Sequence, residues 1–212
     1  SMQHMSDSCW LGLNKLMDSA GVKVPVSVRN IAFGLVPRIN AAGRMGSGER
    51  ALLLLLPQEE EEAKTLAEEL SEENRNRQVL ESKITAEAIL PESIQTQETD
   101  AVVISGGSNW HHGVVGIVAS RLTERFHKPS IVFAYEADGT TIRGSARSVP
   151  GFNMHKALSG CSQCLEKFGG HEMAAGMSLK AERLPELIAG LNQYAKEAAI
   201  PVYSIPEICA DC

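Results

Sequence analysis

Along "IRGSARS", Arg143, Ser145 and Arg147 alternate with small or apolar residues. Successive side chains of an extended strand point to opposite faces, so these three share one face. Two guanidiniums flanking a hydroxyl form a cradle for phosphate, because each guanidinium presents a planar fork of N–H donors to a tetrahedral anion. Ser148 prolongs the polar run. The polar outer face of an edge strand would carry the same pattern. A second stretch, "KFGGHEMAAGMSL" at residues 167 to 179, sets Gly169 and Gly170 before His171 and Ala174, Ala175 and Gly176 behind it. Glycine costs conformational entropy and admits close approach of another backbone or a ligand. A glycine-flanked imidazole therefore points to a bound group touching main chain, although a lone histidine also serves as a structural residue.

A third stretch, "SGGSNWHHGVVGIVASR", places a polar glycine-bearing loop with His111 ahead of a helix N-terminus. Backbone N–H groups and the helix dipole favour an anion there. It lacks the Gly-x-Gly-x-x-Gly order of dinucleotide folds and the Gly-Lys-Ser/Thr of a P-loop. The alternative is a tight loop around a buried Trp110, with the helix packed closely at Gly113 and Gly116. "HEMAAG" begins like a zincin, but Ala175 stands where the second histidine ligand belongs. The five aspartates (Asp7, Asp18, Asp100, Asp138 and Asp211) are scattered, so no metal-binding residue is assigned in this chain. Two Cys-x-x-Cys pairs, Cys161/Cys164 and Cys209/Cys212, invite a zinc-stabilised reading. They stand far beyond the roughly 15 to 20 residues that separate such pairs in zinc sites, and reduced, partly buried thiols explain them more simply.

The elements that must position these groups follow from periodicity. Residues 10 to 56 read as helices and short connections, with Ser27 capping a helix through "VRNIAFGLV" that Pro37 closes. Residues 58 to 90 form one long helical pattern with a stripe of Ala63, Leu66, Leu70, Asn74, Arg77, Leu80, Ile84 and Ala88. Its polar middle suits a strut between two bodies with a polar gap beneath, or a solvated surface helix. Beyond it strands and helices alternate. "DAVVIS" is a strand, followed by a glycine loop, and "GVVGIVASRLTERF" is a helix burying Val114, Val118, Leu122 and Phe126. "SIVFAY" and "GTTIRGSARS" are strands joined across Asp138-Gly139, a strong hairpin signal. A short helix at "NMHKAL", the Gly-Gly-His loop, a strand at "GMSL" and a final helix from Glu182 to Ala198 complete an α/β class with a mixed sheet.

At 212 residues and 43% hydrophobic content the chain buries a real core. No apolar run approaches the ~20 residues of a membrane helix, and "SMQHMSDSCW" has no signal-peptide features. No membrane partner and a cytoplasmic location are the expectations. The net charge of −6 argues against a polyanionic partner for the chain as a whole. The charge is uneven, however. Residues 101 to 180 hold eight Lys/Arg against five Asp/Glu, and residues 25 to 50 hold Arg29, Arg38, Arg44 and Arg50 against Glu49 alone. A local basic surface serves a phosphate ligand whatever the total.

Taken in order and spacing, "NWHHGVVGIVASRLTERFHKP", "GSARS" and "KFGGHEMAAGMSL" resemble the RecJ-type single-strand-specific exonucleases of the DHH phosphoesterase superfamily. "PRINAAGRMGSGERALLLLL" and "EENRNRQ" are similar to the same family's preceding segment and connecting helix. The resemblance implies that residues 1–56 are the tail of the catalytic DHH domain without its metal motifs, and 57–95 the connecting helix. Residues 96–205 would be a DHH-associated substrate-binding domain, and 206–212 the start of a linker to an oligonucleotide-binding fold. It further implies 5′→3′ exonuclease activity on single-stranded DNA in repair and recombination, with Mn²⁺ or Mg²⁺ held by the N-terminal DHH domain and none bound by this piece. Arg44, His111, Arg143, Ser145, Arg147, Ser148, Gly169, Gly170 and His171 would bind substrate phosphates, and His171 would act beside the metals. Alternatives are a stand-alone single-strand-binding module without catalysis and a phosphodiesterase for short oligonucleotides.

Overall fold

The structure is a computed structural model that describes residues 10–46, 48–56 and 59–198. Cys9, Cys209, Cys212 and the expected linker at 206–212 lie outside the described residues. The chain divides into two compact units, Ser1–Leu80 and Glu81–Cys212.

The first unit is helical. It comprises α1 (Leu11–Ser19), α2 (Val28–Asn30), a π-helical stretch (Ile31–Leu35), α3 (Val36–Met45), α4 (Glu49–Leu55) and the first turns of α5 (Glu60–Ala88). Leu16, Leu35, Leu54 and Leu70 are fully buried and form its core with Ala42 and Ala67. Ser27 caps as expected: its hydroxyl accepts from Asn30 N at 3.1 Å, while Asn30 Oδ1 accepts from Ser27 N at 3.1 Å. Pro37 does not end the helix. The backbone widens into the π stretch, and Pro37 then sits in the first turn of α3, where it has no intrahelical N–H to lose. The buried stripe of α5 in this unit is Ala63, Leu66, Ala67, Leu70, Ser71 and Asn74. Its polar members have partners: Arg38 Nε donates to Ser71 Oγ at 3.1 Å, and Arg77 Nη2 to Asn74 Oδ1 at 2.9 Å. A polar groove of about 420 Å³, lined by Lys15, Asp18, Ser19, Lys64, Glu68 and Arg75, lies beside the middle of α5.

The second unit is α/β. Its elements after α5 are β1 (Val103–Ser108), α6 (His112–Phe126), β2 (Ser130–Tyr135), β3 (Thr141–Arg147), α7 (Met154–Gly160), β4 (Lys167–Gly170), β5 (Ala174–Lys180) and α8 (Leu184–Glu197). The sheet order is β1-β2-β3-β5-β4, with β1 and β2 parallel and the other neighbours antiparallel. The parallel pair needs a crossover, which α6 supplies. The turn between β2 and β3 is the expected one: Asp138 Oδ1 accepts from Thr140 N and Thr141 N at 2.8 and 2.9 Å, and Gly139 has φ +66°. These bonds hold the Asp138 carboxyl well below its usual range.

One sheet face packs on α7 and α8. Ile131, Phe133, Ile142, Ala146, Met177 and Leu179 meet Phe152, Met154, Leu158, Leu187 and Leu191 there. In α6 Val114, Val118 and Leu122 are buried as expected, while Phe126 is half-buried. Two glycine segments expected as loops are strand. Gly106 and Gly107 belong to β1, where they pair with Phe133 and Ala134, and Gly169-Gly170 belong to β4, where they pair with Gly176 and Ala175. Backbone pairing overrides weak strand propensity in both places. The last turns of α5 fasten to this unit: Trp110 Nε1 donates to Glu87 Oε2 at 2.8 Å and Ser105 Oγ to Ala88 O at 2.9 Å, with Ile84 and Ala88 buried.

Candidate functional site

Strand alternation places Thr141, Arg143, Ser145 and Arg147 on one face of β3, opposite the face of buried Ile142, Gly144 and Ala146. Register extends that face across the sheet. Arg147 pairs with Ala174, Ser145 with Gly176 and Arg143 with Ser178 on β5, while Gly169 and Lys167 of β4 pair with Gly176 and Ser178. Helix α6 lies against Ser145 and Arg147. A Cβ on its Gly116 would stand 3.1 Å from Arg147 Nη2 and 3.4 Å from Ser145 Oγ, so the bare helix surface there is what gives both polar groups their room. Toward β5 and β4 the same face is open, with Gly169 and Gly176 exposed.

His171 follows β4 directly, and its N–H donates to Ala174 O at 2.7 Å. Ala174 is the register partner of Arg147, so the exposed histidine belongs to the Arg147 end of the face. Gly170 has φ +146°, and a Cβ on it would fall on the carbonyl of Ala174 and 2.5 Å from Ala175 Cα. Only glycine allows this tight return from β4 into β5. Gly169 is different, since a Cβ there would meet nothing within 4 Å.

The other expected site residues fall elsewhere. His111 is the N-cap of α6: its Nδ1 accepts from Gly113 N at 3.1 Å, and its carbonyl accepts from Val114 N at 2.9 Å. The first-turn amides of Gly113 and Val114 are therefore already engaged. Ser148 leaves the face. It is buried, its hydroxyl donates to Phe152 O at 2.6 Å, and it closes the turn after β3. Arg143 lies on the face and is exposed, with Nε 2.8 Å from Glu136 Oε1. Arg44 sits in the last turn of α3, in the first unit. Lys167 and Ser178 were missed by sequence reasoning, because only the strand register reveals that they share a face with Arg143.

Among the described residues no three His, Cys, Asp or Glu side chains converge as a metal site. The described residues therefore offer no set of side chains that fits a divalent centre. Cys161 and Cys164 are free and buried, burial pushes the Cys161 thiol up to about 11 and raises Cys164 as well, and Cys164 Sγ donates to Cys161 O at 3.0 Å. Such thiols stay protonated at neutral pH and are poor nucleophiles. Among the described residues no helix is long and apolar enough to cross a membrane.

Residues 99–197 match the DHHA1 domain. The chain is 40% identical over 206 residues to the single-stranded-DNA-specific exonuclease RecJ of Bacillus subtilis (strain 168), a match covering 94% of this chain and 26% of that protein. Two solved structures of RecJ from Thermus thermophilus share its fold. The one in complex with Mg²⁺ has a TM-score of 0.81 at 32% identity, over 92% of this chain and 30% of that one. The one in complex with Mn²⁺ has a TM-score of 0.80 at 33% identity, over 92% and 28%. The chain thus spans about a quarter to a third of the length of these relatives. Sequence similarity along nearly the whole chain and the agreement in fold lead to one assignment: this chain belongs to the RecJ family, as a piece carrying its DHH-associated domain.

Proposed function

We propose that this chain is the part of a RecJ-type 5′→3′ exonuclease that holds the phosphates of single-stranded DNA. The observation that carries the reading is the Ser145 and Arg147 pair on a sheet face beside the His171 turn, with Gly116 of α6 leaving both polar groups space. Arg147 donates its fork to a phosphate oxygen and Ser145 adds a hydroxyl donor. The exposed imidazole of His171 supplies another N–H donor, and Gly169 and Gly170 keep bulk away from the approaching strand. Arg44, in the first unit, is assigned a phosphate contact of its own. Because these contacts address phosphates, they grip without reading bases. Mn²⁺ or Mg²⁺, the hydrolytic centre, the DHH domain and the oligonucleotide-binding fold belong in this reading to the rest of a longer polypeptide, and repair and recombination are the processes served.

Two results test this. Incubated with Mn²⁺ and 5′-phosphorylated single-stranded DNA, the chain binds the strand but releases no nucleotides, and fusion to the remaining RecJ-type sequence restores digestion. Metal-dependent digestion by the purified chain alone would place a hydrolytic centre within it and overturn the division of labour. Gly116→Ala checks the geometry of the cradle. It raises helix propensity, so stability is expected to stay within about 1 kcal/mol of wild type. Its methyl group presses on Arg147 and Ser145, so affinity for the phosphorylated strand falls several-fold. Unchanged affinity, measured by fluorescence anisotropy, would remove Ser145 and Arg147 from the contact.

A further inference from the structure

Three rows of paired residues cross β3, β5 and β4 on the open face. Arg147 and Ala174 form the first, next to His171, and Ser145, Gly176 and Gly169 form the second. Arg143, Ser178 and Lys167 form the third. The third row lines a groove of about 390 Å³ together with Thr141 and Glu166. A hydroxyl there stands between a guanidinium and an ammonium, the same donor chemistry as the Ser145 and Arg147 pair. Adjacent rows, two residues apart along a strand, are separated by about 6.8 Å, and the middle row is glycine on β5 and β4, so nothing rises from its floor beyond Ser145.

The donors in and beside the third row differ in how they are engaged. Arg143 is held in place by Glu136, whose same oxygen lies 3.4 Å from His112 Nε2. Lys180 is held at 3.7 Å by Glu166, and it donates to Thr141 Oγ1 at 2.9 Å. Lys167 has no ion-pair partner among the described residues, and the Ser178 hydroxyl has no hydrogen-bond partner among them. The two carboxylates therefore orient the neighbouring cations and leave the ammonium of Lys167 uncompensated.

Resting on the phosphate-holding reading above, we infer that Arg143, Ser178 and Lys167 form a second phosphate subsite. It takes a phosphate tethered to the one held by Ser145 and Arg147. Two sources carry that chemistry: the adjoining phosphodiester of the same strand, or the outer phosphate of a 5′-diphosphate end. In either case one ligand spans the three rows of one sheet face.

The test is NMR titration of the chain with three probes: dTMP, dTDP and the 5′-phosphorylated dinucleotide of thymidine. Lys167→Ala and Ser178→Ala are compared with Arg147→Ala. Lys167 is exposed, so its replacement leaves the fold intact. Lys167→Ala is expected to weaken a two-phosphate probe by about three- to tenfold and to leave dTMP within about twofold. Weakening confined to the dinucleotide assigns the subsite to the strand, and weakening confined to dTDP assigns it to a polyphosphate end. If Arg147→Ala weakens all three probes and Lys167→Ala weakens none, the subsite is wrong and the phosphate-holding reading stands. If neither variant weakens any probe, or the wild-type chain binds none, both are wrong.

Discussion

Arg147→Ala is expected to lower the affinity for 5′-phosphorylated single-stranded DNA by about tenfold to a hundredfold, the loss of a charged hydrogen-bond partner of about 1.5–3 kcal/mol. The size follows from placement. Arg147 is half-buried, with Nη1 donating to Ala146 O at 2.8 Å and Nη2 lying against the bare surface of Gly116. A guanidinium tethered in this way loses less rotamer freedom on binding than a solvated side chain. Lys196→Ala is the control, an exposed charge on α8, which packs on the opposite sheet face. It should change affinity less than twofold beyond the general salt-dependent attraction. The loss for Arg147→Ala should also be the same for thymidine and adenosine tracts, because a phosphate contact carries no base identity. Equal affinities for the two variants in a binding assay at fixed salt would refute the assignment.

Gly170→Ala is expected to destabilise the second unit by about 2–4 kcal/mol, and Gly169→Ala, its neighbour, by less than about 1 kcal/mol. The two glycines look alike in sequence and differ in the structure. At Gly170 the backbone has φ +146°, and an added methyl group would meet the main chain of Ala174 and Ala175, which the pairing of β4 with β5 holds in place. Main-chain atoms cannot swing aside as the end of a flexible side chain can. At Gly169 an added methyl group meets only solvent. Urea unfolding followed by circular dichroism decides the matter. Similar midpoints for both variants would mean that the turn into His171 relaxes freely, and that the conformation of Gly170 is not what shapes it.

Much of the second unit was legible because its patterns are local. "SIVFAY", the Asp138-Gly139 turn and the alternation of "IRGSARS" each follow from a few adjacent residues, and so does the Arg143, Ser145 and Arg147 face. What depends on pairing was not legible. "FGG" reads as loop on propensity, yet it is strand because β5 supplies its hydrogen bonds. Lys167 and Ser178 could be joined to Arg143 only once the register was known. Ser148 looked like a continuation of the cradle, but the chain turns after Arg147 and takes its hydroxyl inward to Phe152 O. Pro37 misled in the first unit, because a proline that stops one helix is equally at home in the first turn of the next. His111 was read as a phosphate ligand, and its role as a cap shows only when the amide it serves is seen.

The long helix α5 has its buried residues in two separate sets. Ala63 to Asn74 pack in the first unit, Ile84 and Ala88 in the second, and Arg75, Asn76, Gln78 and Val79 between them are exposed. A single run of backbone hydrogen bonds therefore belongs to two foldons. The amides at its start share the opening free energy of the helical unit, those at its end share that of the sheet, and the exposed turn between them frays at a lower cost than either. One continuous helix thus has a graded stability along its length, and its unfolding need not be a single cooperative event.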